Sequence, residues 1–148
     1  MTISGVMTTT IQTIRDDFSL LDEWEDRYRY VIELGEALPP FPDAARTPTN
    51  KVPGCVSQVW LTTEQEPGID PVIRFQGDSD AHIVRGLVAI MLALFSGRPA
   101  SEIQNTDAEV TLKELGLDEH LSPQRANGLR SMVKRIKRDA DAALKQTA

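Results

Sequence analysis

The chain has 148 residues, 41% of them hydrophobic and 26% charged, the proportions of a folded globular domain long enough to bury a sizeable core. A net charge of -6 excludes general affinity for nucleic acid, which needs cations against phosphates. The one cysteine, Cys55, excludes an internal disulfide and any zinc or iron–sulfur site built from thiolates alone.

The opening stretch MTISGVMTTT lacks the positive charge and apolar block of a secretory signal. The most apolar run, Gly86 to Phe95, is half the roughly 20 residues that cross a bilayer. These features predict a cytoplasmic protein with no membrane segment. They also predict a single domain over residues 1–148, with residues 1–8 flexible.

In chain order, a short helix is expected around Thr9 to Asp17. A stronger one runs from Asp22 to Ala37, with Asp22 as its cap and Glu25 three residues on. Trp24, Tyr28, Val31, Gly35 and Leu38 recur at helical spacing on one face, and Pro39-Pro40 ends it. Residues 39–54 hold five prolines (Pro39, Pro40, Pro42, Pro48, Pro53) and read as an irregular, stiffened segment that stops just before Cys55.

The period then becomes two. Val56 to Thr62 and Pro71 to Gln76 read as strands joined through a Pro67-Gly68 turn. Two strands are marginal alone, and a third is expected around Lys51 to Pro53. Gly77-Asp78-Ser79 is expected to open a buried helix from Asp80 to Ser96, with Gly97 at its end. Thr106 and Glu109 have the spacing of a capping box for a helix ending at Gly116. Ser122-Pro123 supplies a cap and an N1 proline for a last helix. There Leu129, Met132, Val133, Ile136 and Ala140 face inward.

The chemistry-bearing residue is Cys55, in Val52-Pro53-Gly54-Cys55-Val56-Ser57-Gln58. Pro53 and Gly54 make a turn, and Gly54 lets another backbone come close. The thiol is thereby placed at a loop-to-strand junction that a partner can reach. A free cysteine is commonly a small buried hydrophobe, and that reading stands beside the functional one. With no second cysteine, a persulfide on Cys55 has no internal thiol to collapse onto, which suits a carrier better than a disulfide oxidoreductase.

Other residues admit two readings each. His82 and His120, the two histidines, would make Cys55 a hydrolytic nucleophile if either were its base; both are also compatible with exposed positions. Gln58 and Trp60 share one side of their strand, and Trp60, like Trp24, reads as core. Arg130, Lys134, Lys137 and Arg138 form a basic stripe on the last helix, either a solvated face or a dock for an acidic partner.

Several blocks resemble the SufE-type sulfur-acceptor family. They are Tyr30-Val31-Ile32-Glu33-Leu34-Gly35 with Leu38-Pro39; Val52 to Trp60; Gly77-Asp78-Ser79-Asp80-Ala81 with Ile83-Val84-Arg85-Gly86-Leu87; and Leu121-Ser122-Pro123 with Arg125 and Asn127-Gly128-Leu129. The resemblance covers roughly residues 20–140. Val56 stands where glutamine is common in the family, and His82 where alanine is common.

The resemblance implies an α+β fold, a small antiparallel sheet packed against helices, similar to iron–sulfur scaffold proteins. It implies that Cys55 takes sulfane sulfur from the persulfide of a pyridoxal-phosphate cysteine desulfurase (SufS- or CsdA-like). Cys55 would stimulate that enzyme and pass the sulfur to a scaffold complex (SufBCD-like), with no metal or cofactor on this chain and no independent turnover. It places Gly54, Asp80 and Arg125 near the cysteine loop or the partner surface; Asp80 also reads as a stabiliser of a helix N-terminus, and Arg125 as half of an ordinary ion pair. A monomer or weak dimer is expected. The alternatives are a cysteine hydrolase or transferase, and a binding module with a structural cysteine.

Overall fold

The computed structural model describes residues 9–55 and 57–146. The expectations for residues 1–8 and for Val56 lie outside the described residues. The first helix, α1 (Ile11–Ser19), begins after Thr10, whose hydroxyl accepts from the Thr13 N–H at 3.1 Å. Burying Ile11, Ile14 and Phe18 gives it an inward face at helical spacing.

Helix α2 (Trp24–Glu36) follows, but Asp22 does not cap it: the N-cap residue is Glu23, and its side chain makes no capping bond. The turn is fixed from elsewhere. Arg27 Nε and Nη2 donate to the carbonyls of Leu21 (2.7 Å) and Phe18 (3.1 Å), tying the start of α2 to the end of α1. The Tyr30 hydroxyl donates to Asp17 at 2.6 Å, a second tie between the same helices. The proline-rich segment holds a single 3₁₀ turn, Asp43–Ala45.

Strands β1 (Val59–Gln65) and β2 (Val72–Ser79) pair antiparallel, from Val59 opposite Ser79 to Gln65 opposite Ile73. The hairpin matches expectation, but β1 starts three residues later than the expected Val56. Gly77-Asp78-Ser79 closes β2 instead of opening the helix, because those residues pair with Leu61, Trp60 and Val59. The third strand is β3 (Arg98–Pro99), on the far side of β2. Lys51 to Pro53 adds only one bridge, Lys51 to Trp60, before Pro53, which has no N–H to continue a ladder.

The sheet rests on α3 (His82–Phe95), in which eleven of fourteen residues are buried. Its N-cap position is Ala81, with no side-chain capping bond, so Asp80 is not a helix cap. Helices α4 (Ala100–Asn105), α5 (Ala108–Glu114) and α6 (Leu117–His120) lead to the long α7 (Pro123–Gln146). The expected Thr106 capping box does not form. The Thr106 hydroxyl donates back to the Glu102 carbonyl of α4 (2.7 Å), and Asp107 caps α5 by accepting from the Glu109 N–H (3.0 Å). Ser122 caps α7 as expected, accepting from the Arg125 N–H at 3.3 Å. Leu129, Met132, Ile136 and Ala140 are buried along α7, and Val133 is half-buried.

Helices α2 and α3 meet backbone to backbone. A Cβ on Gly86 would lie 2.0 Å from the Val31 carbonyl oxygen, and one on Gly35 would lie 2.6 Å from the Gly86 nitrogen. No rotamer change relieves a clash with backbone, so both glycines are dictated by the crossing. Gly86→Ala is therefore expected to lower stability by about 3 kcal/mol or more, read as a drop in the urea midpoint; an unchanged midpoint would contradict this crossing.

Candidate functional site

The cysteine loop is the closed end of a narrow hairpin. Its base is set by the Val52 N–H donating to the Val59 carbonyl at 2.8 Å and the Leu61 N–H donating to that of Asn50 at 2.9 Å. Gly54 turns the chain with φ +86, a conformation that L side chains rarely adopt, and a Cβ there would lie 2.6 Å from Ser131 Oγ of α7. Among the described residues, the backbone expected close to Gly54 is not found there; the neighbour is a side chain of the last helix, Ser131.

Cys55 follows, partly buried against α7, with its thiol 3.7 Å from the Gly128 carbonyl oxygen, a weak S–H···O contact. The sulfur lines a cavity of about 370 Å³. Val84, Leu87 and Met132 give it an apolar floor, and Ser57, Ser122, Gln124 and Arg125 a polar rim. Burial pushes the thiol pKa up from its ordinary value, because the charged form loses hydration that apolar walls do not replace.

The far end of the loop is held by the motif Gly77-Asp78-Ser79-Asp80. Ser79 Oγ donates to the Gln58 carbonyl at 2.7 Å. Asp80 accepts from the Gln58 N–H at 3.0 Å and from the Gln58 side-chain amide at 3.4 Å. Asp78, 8% exposed, lies between two arginines: Arg85 Nε donates to it at 2.8 Å, and Arg46 Nη2 donates to its other oxygen. Arg46 also stacks over Phe41 and Trp60, 5.5 and 5.7 Å from the ring centroids, and so fastens the proline-rich segment to the sheet.

Of the residues singled out from sequence, Cys55 and Arg125 line one cavity, Gly54 adjoins it, and Asp80 braces the loop from its other end. Arg125 is exposed, and its Nη1 donates to the Tyr28 hydroxyl at 3.4 Å. Neither histidine lines the cavity. His82 is exposed at the first residue of α3, and His120 stacks on Trp24 with ring centroids 4.3 Å apart. The basic stripe divides. Arg130 pairs with Glu109 at 2.8 Å, and Lys137 donates to the carbonyls of Gln104 and Thr106 at the end of α4, while Lys134 and Arg138 are exposed. Trp60 is core, at 9% exposure.

The roles of Arg46, Asp78, Ser79, Arg85 and Gly128 were not assigned from sequence. Their signal was present in the G-D-S-D block, but its work is done by pairing across 32 residues of chain, from Arg46 to Asp78. Among the described residues, no group of three or more His, Cys, Asp or Glu could hold a metal ion, and no helix is long and apolar enough to cross a membrane.

Residues 12–140, which include this loop, match a known family, the SufE, or Fe-S metabolism associated, domain. The chain belongs to the SufE family. An uncharacterized SufE-like protein of Rhizobium meliloti (strain 1021) is 61% identical over 137 residues, 92% of this chain and 98% of its own. Another from Rhizobium etli is 61% identical over 132 residues, 88% of this chain and 89% of its own. The solution structure of a hypothetical protein from Thermus thermophilus shares the fold, with a TM-score of 0.73 over 91% of this chain and 96% of that one, at 19% identity. SufE membership assigns the chain a sulfur-acceptor role in iron–sulfur metabolism, in a family that works without a bound cofactor.

The raised thiol pKa has a signed consequence. Folding favours the neutral thiol, so this term stabilises the fold below the pKa of the unfolded thiol and is lost as pH rises through the folded value. Alkylation of Cys55 by iodoacetamide at pH 7.5 is expected to be several-fold slower in the native protein than in urea. The native rate should still be rising at pH values where the unfolded rate has levelled off; a native midpoint at or below the unfolded one would contradict the burial argument.

Proposed function

We propose that Cys55 is the acceptor atom. It takes sulfane sulfur from the persulfide of a cysteine desulfurase, whose turnover it stimulates, and passes it to a scaffold complex in iron–sulfur cluster assembly. The observation that carries this reading is a lone thiol lining a small cavity, in a chain of the SufE, Fe-S metabolism associated, family.

The step balances as thiol exchange. The Cys55 thiolate forms a new S–S bond with the outer sulfur of the donor persulfide. The donor's own S–S bond breaks, its electron pair leaves on the donor's thiolate, and the outer sulfur keeps its proton. Nothing is oxidised or reduced overall, and no metal or hydrolytic base takes part. Pyridoxal phosphate on the desulfurase makes the first persulfide. Because the resting thiol is neutral, the proton must leave before attack. Arg125 lines the same cavity, a cation that would favour the thiolate once a partner excludes water.

Gly54 allows the turn that presents Cys55, and Asp80 holds the strand end of the loop in register. A hydrolase would need a base within hydrogen-bond reach of the sulfur, and the cavity lining contains no histidine.

The test is intact mass after mixing with a cysteine desulfurase and free cysteine, without reductant. The expected result is a gain of one sulfur atom, about 32 Da, reversed by thiol reductant and absent in Cys55→Ser. A Cys55→Ser protein that still gained sulfur and still stimulated the desulfurase would overturn the proposal.

A further inference from the structure

Gly128 is a glycine without a resting-state reason. The other described glycines are each accounted for. Gly54, Gly68, Gly97 and Gly116 have positive φ, and a Cβ on Gly35, Gly77 or Gly86 would come within 2.7 Å of a neighbour. Gly128 has neither feature. It lies inside α7, where glycine weakens a helix relative to alanine. Among the described residues, and its own helix backbone and chain neighbours aside, one heavy atom lies within 4 Å of where its Cβ would be. That atom is Cys55 Sγ, at 3.8 Å, an ordinary contact.

Alanine therefore fits beneath the free thiol and would strengthen the helix. What alanine would not leave is room for a second sulfur. An S–S bond is about 2.05 Å long, so an outer sulfur directed from Sγ over Gly128 would overlap a methyl group standing 3.8 Å from Sγ. Gly128 lines the cavity that Cys55 faces, beside the apolar walls of Val84, Leu87 and Met132, surroundings that suit a soft, polarizable sulfur.

We propose that Gly128 is a positioning residue for the loaded state: the missing side chain is the seat of the outer sulfur of a Cys55 persulfide, and it keeps that sulfur away from stray thiols. This rests on Cys55 as the carrier and adds where the carried atom sits.

The test uses protein loaded chemically with inorganic polysulfide, so that it does not depend on any desulfurase. Wild type and Gly128→Ala are loaded, desalted and exposed to glutathione, and loss of the added sulfur is followed by intact mass. The expected result is sulfur loss at least tenfold faster in Gly128→Ala. The melting temperature should be equal or higher, and iodoacetamide alkylation of the unloaded thiol should match wild type. Equal rates of sulfur loss would overturn the seat. So would faster loss accompanied by an equal acceleration of thiol alkylation, because that would show a loosened loop rather than a filled seat. Failure of wild type to load from a desulfurase, with the chemically loaded sulfur still protected by Gly128, would count against the carrier function and leave the seat standing.

Discussion

The placement of the thiol depends on a carboxylate taken out of water between two guanidinium groups. Asp78 sits at the end of β2, with Arg85 reaching it from α3 and Arg46 from the proline-rich segment. A buried charge is tolerable only when its partners stay in place, and removing one partner of such a set commonly costs about 3–5 kcal/mol. The three pieces of chain that meet there are the ones that define the cysteine loop. One leads into it, one is hydrogen-bonded to the backbone at its exit, and one forms the floor of the cavity under the sulfur. The next residues along the chain, Ser79 and Asp80, bind Gln58 directly, so the clamp and the brace are continuous.

The loop is thus held firmly at its base and lightly at its tip. Backbone bonds at Val52 and Leu61 and side-chain bonds at Gln58 secure the ends. Among the described residues, the hydrogen bonding of Cys55 itself is one weak contact to the Gly128 carbonyl, beside its packing against the core. The energetic contrast fits a sulfur relay. A thiol kept neutral by its surroundings is slow to react with chance oxidants and electrophiles, yet little must be broken to bring it to a partner. On the proposed reading, a chain without a second cysteine leaves a carried sulfur no internal thiol to be lost to.

Much of this architecture was legible in the sequence where the signal was local. The apolar residues of α3, the Ser122-Pro123 start of α7, and the Pro67-Gly68 turn of the hairpin all stand where pattern placed them. The departures share a cause, competition from a distant partner. Asp22 loses the cap of α2 because Arg27 ties that turn to α1. Thr106 turns back to close α4, leaving Asp107 to cap α5. Gly77-Asp78-Ser79 looks like a helix opening but is captured by β1. At the site, Cys55 and Gly54 were visible as a turn before a strand, and Arg125 through a resemblance. The Asp78 clamp was not, because nothing in Arg46 or its neighbours says which carboxylate, 32 residues on, it will meet. Gly128 was visible only as one glycine in a helix, and its isolation beneath the sulfur is a fact of packing.

The central claim is that sulfur passes through this chain, and the most direct measurement follows one labelled atom. The protein is loaded from a cysteine desulfurase with radiolabelled sulfur, separated from the enzyme, and mixed with a cluster-assembly scaffold that has received no sulfur. The account predicts that the label leaves Cys55 and appears on the scaffold in equal amount, with none released as free sulfide beforehand. Label that stays on this chain, or that escapes as sulfide without reaching the scaffold, would contradict it.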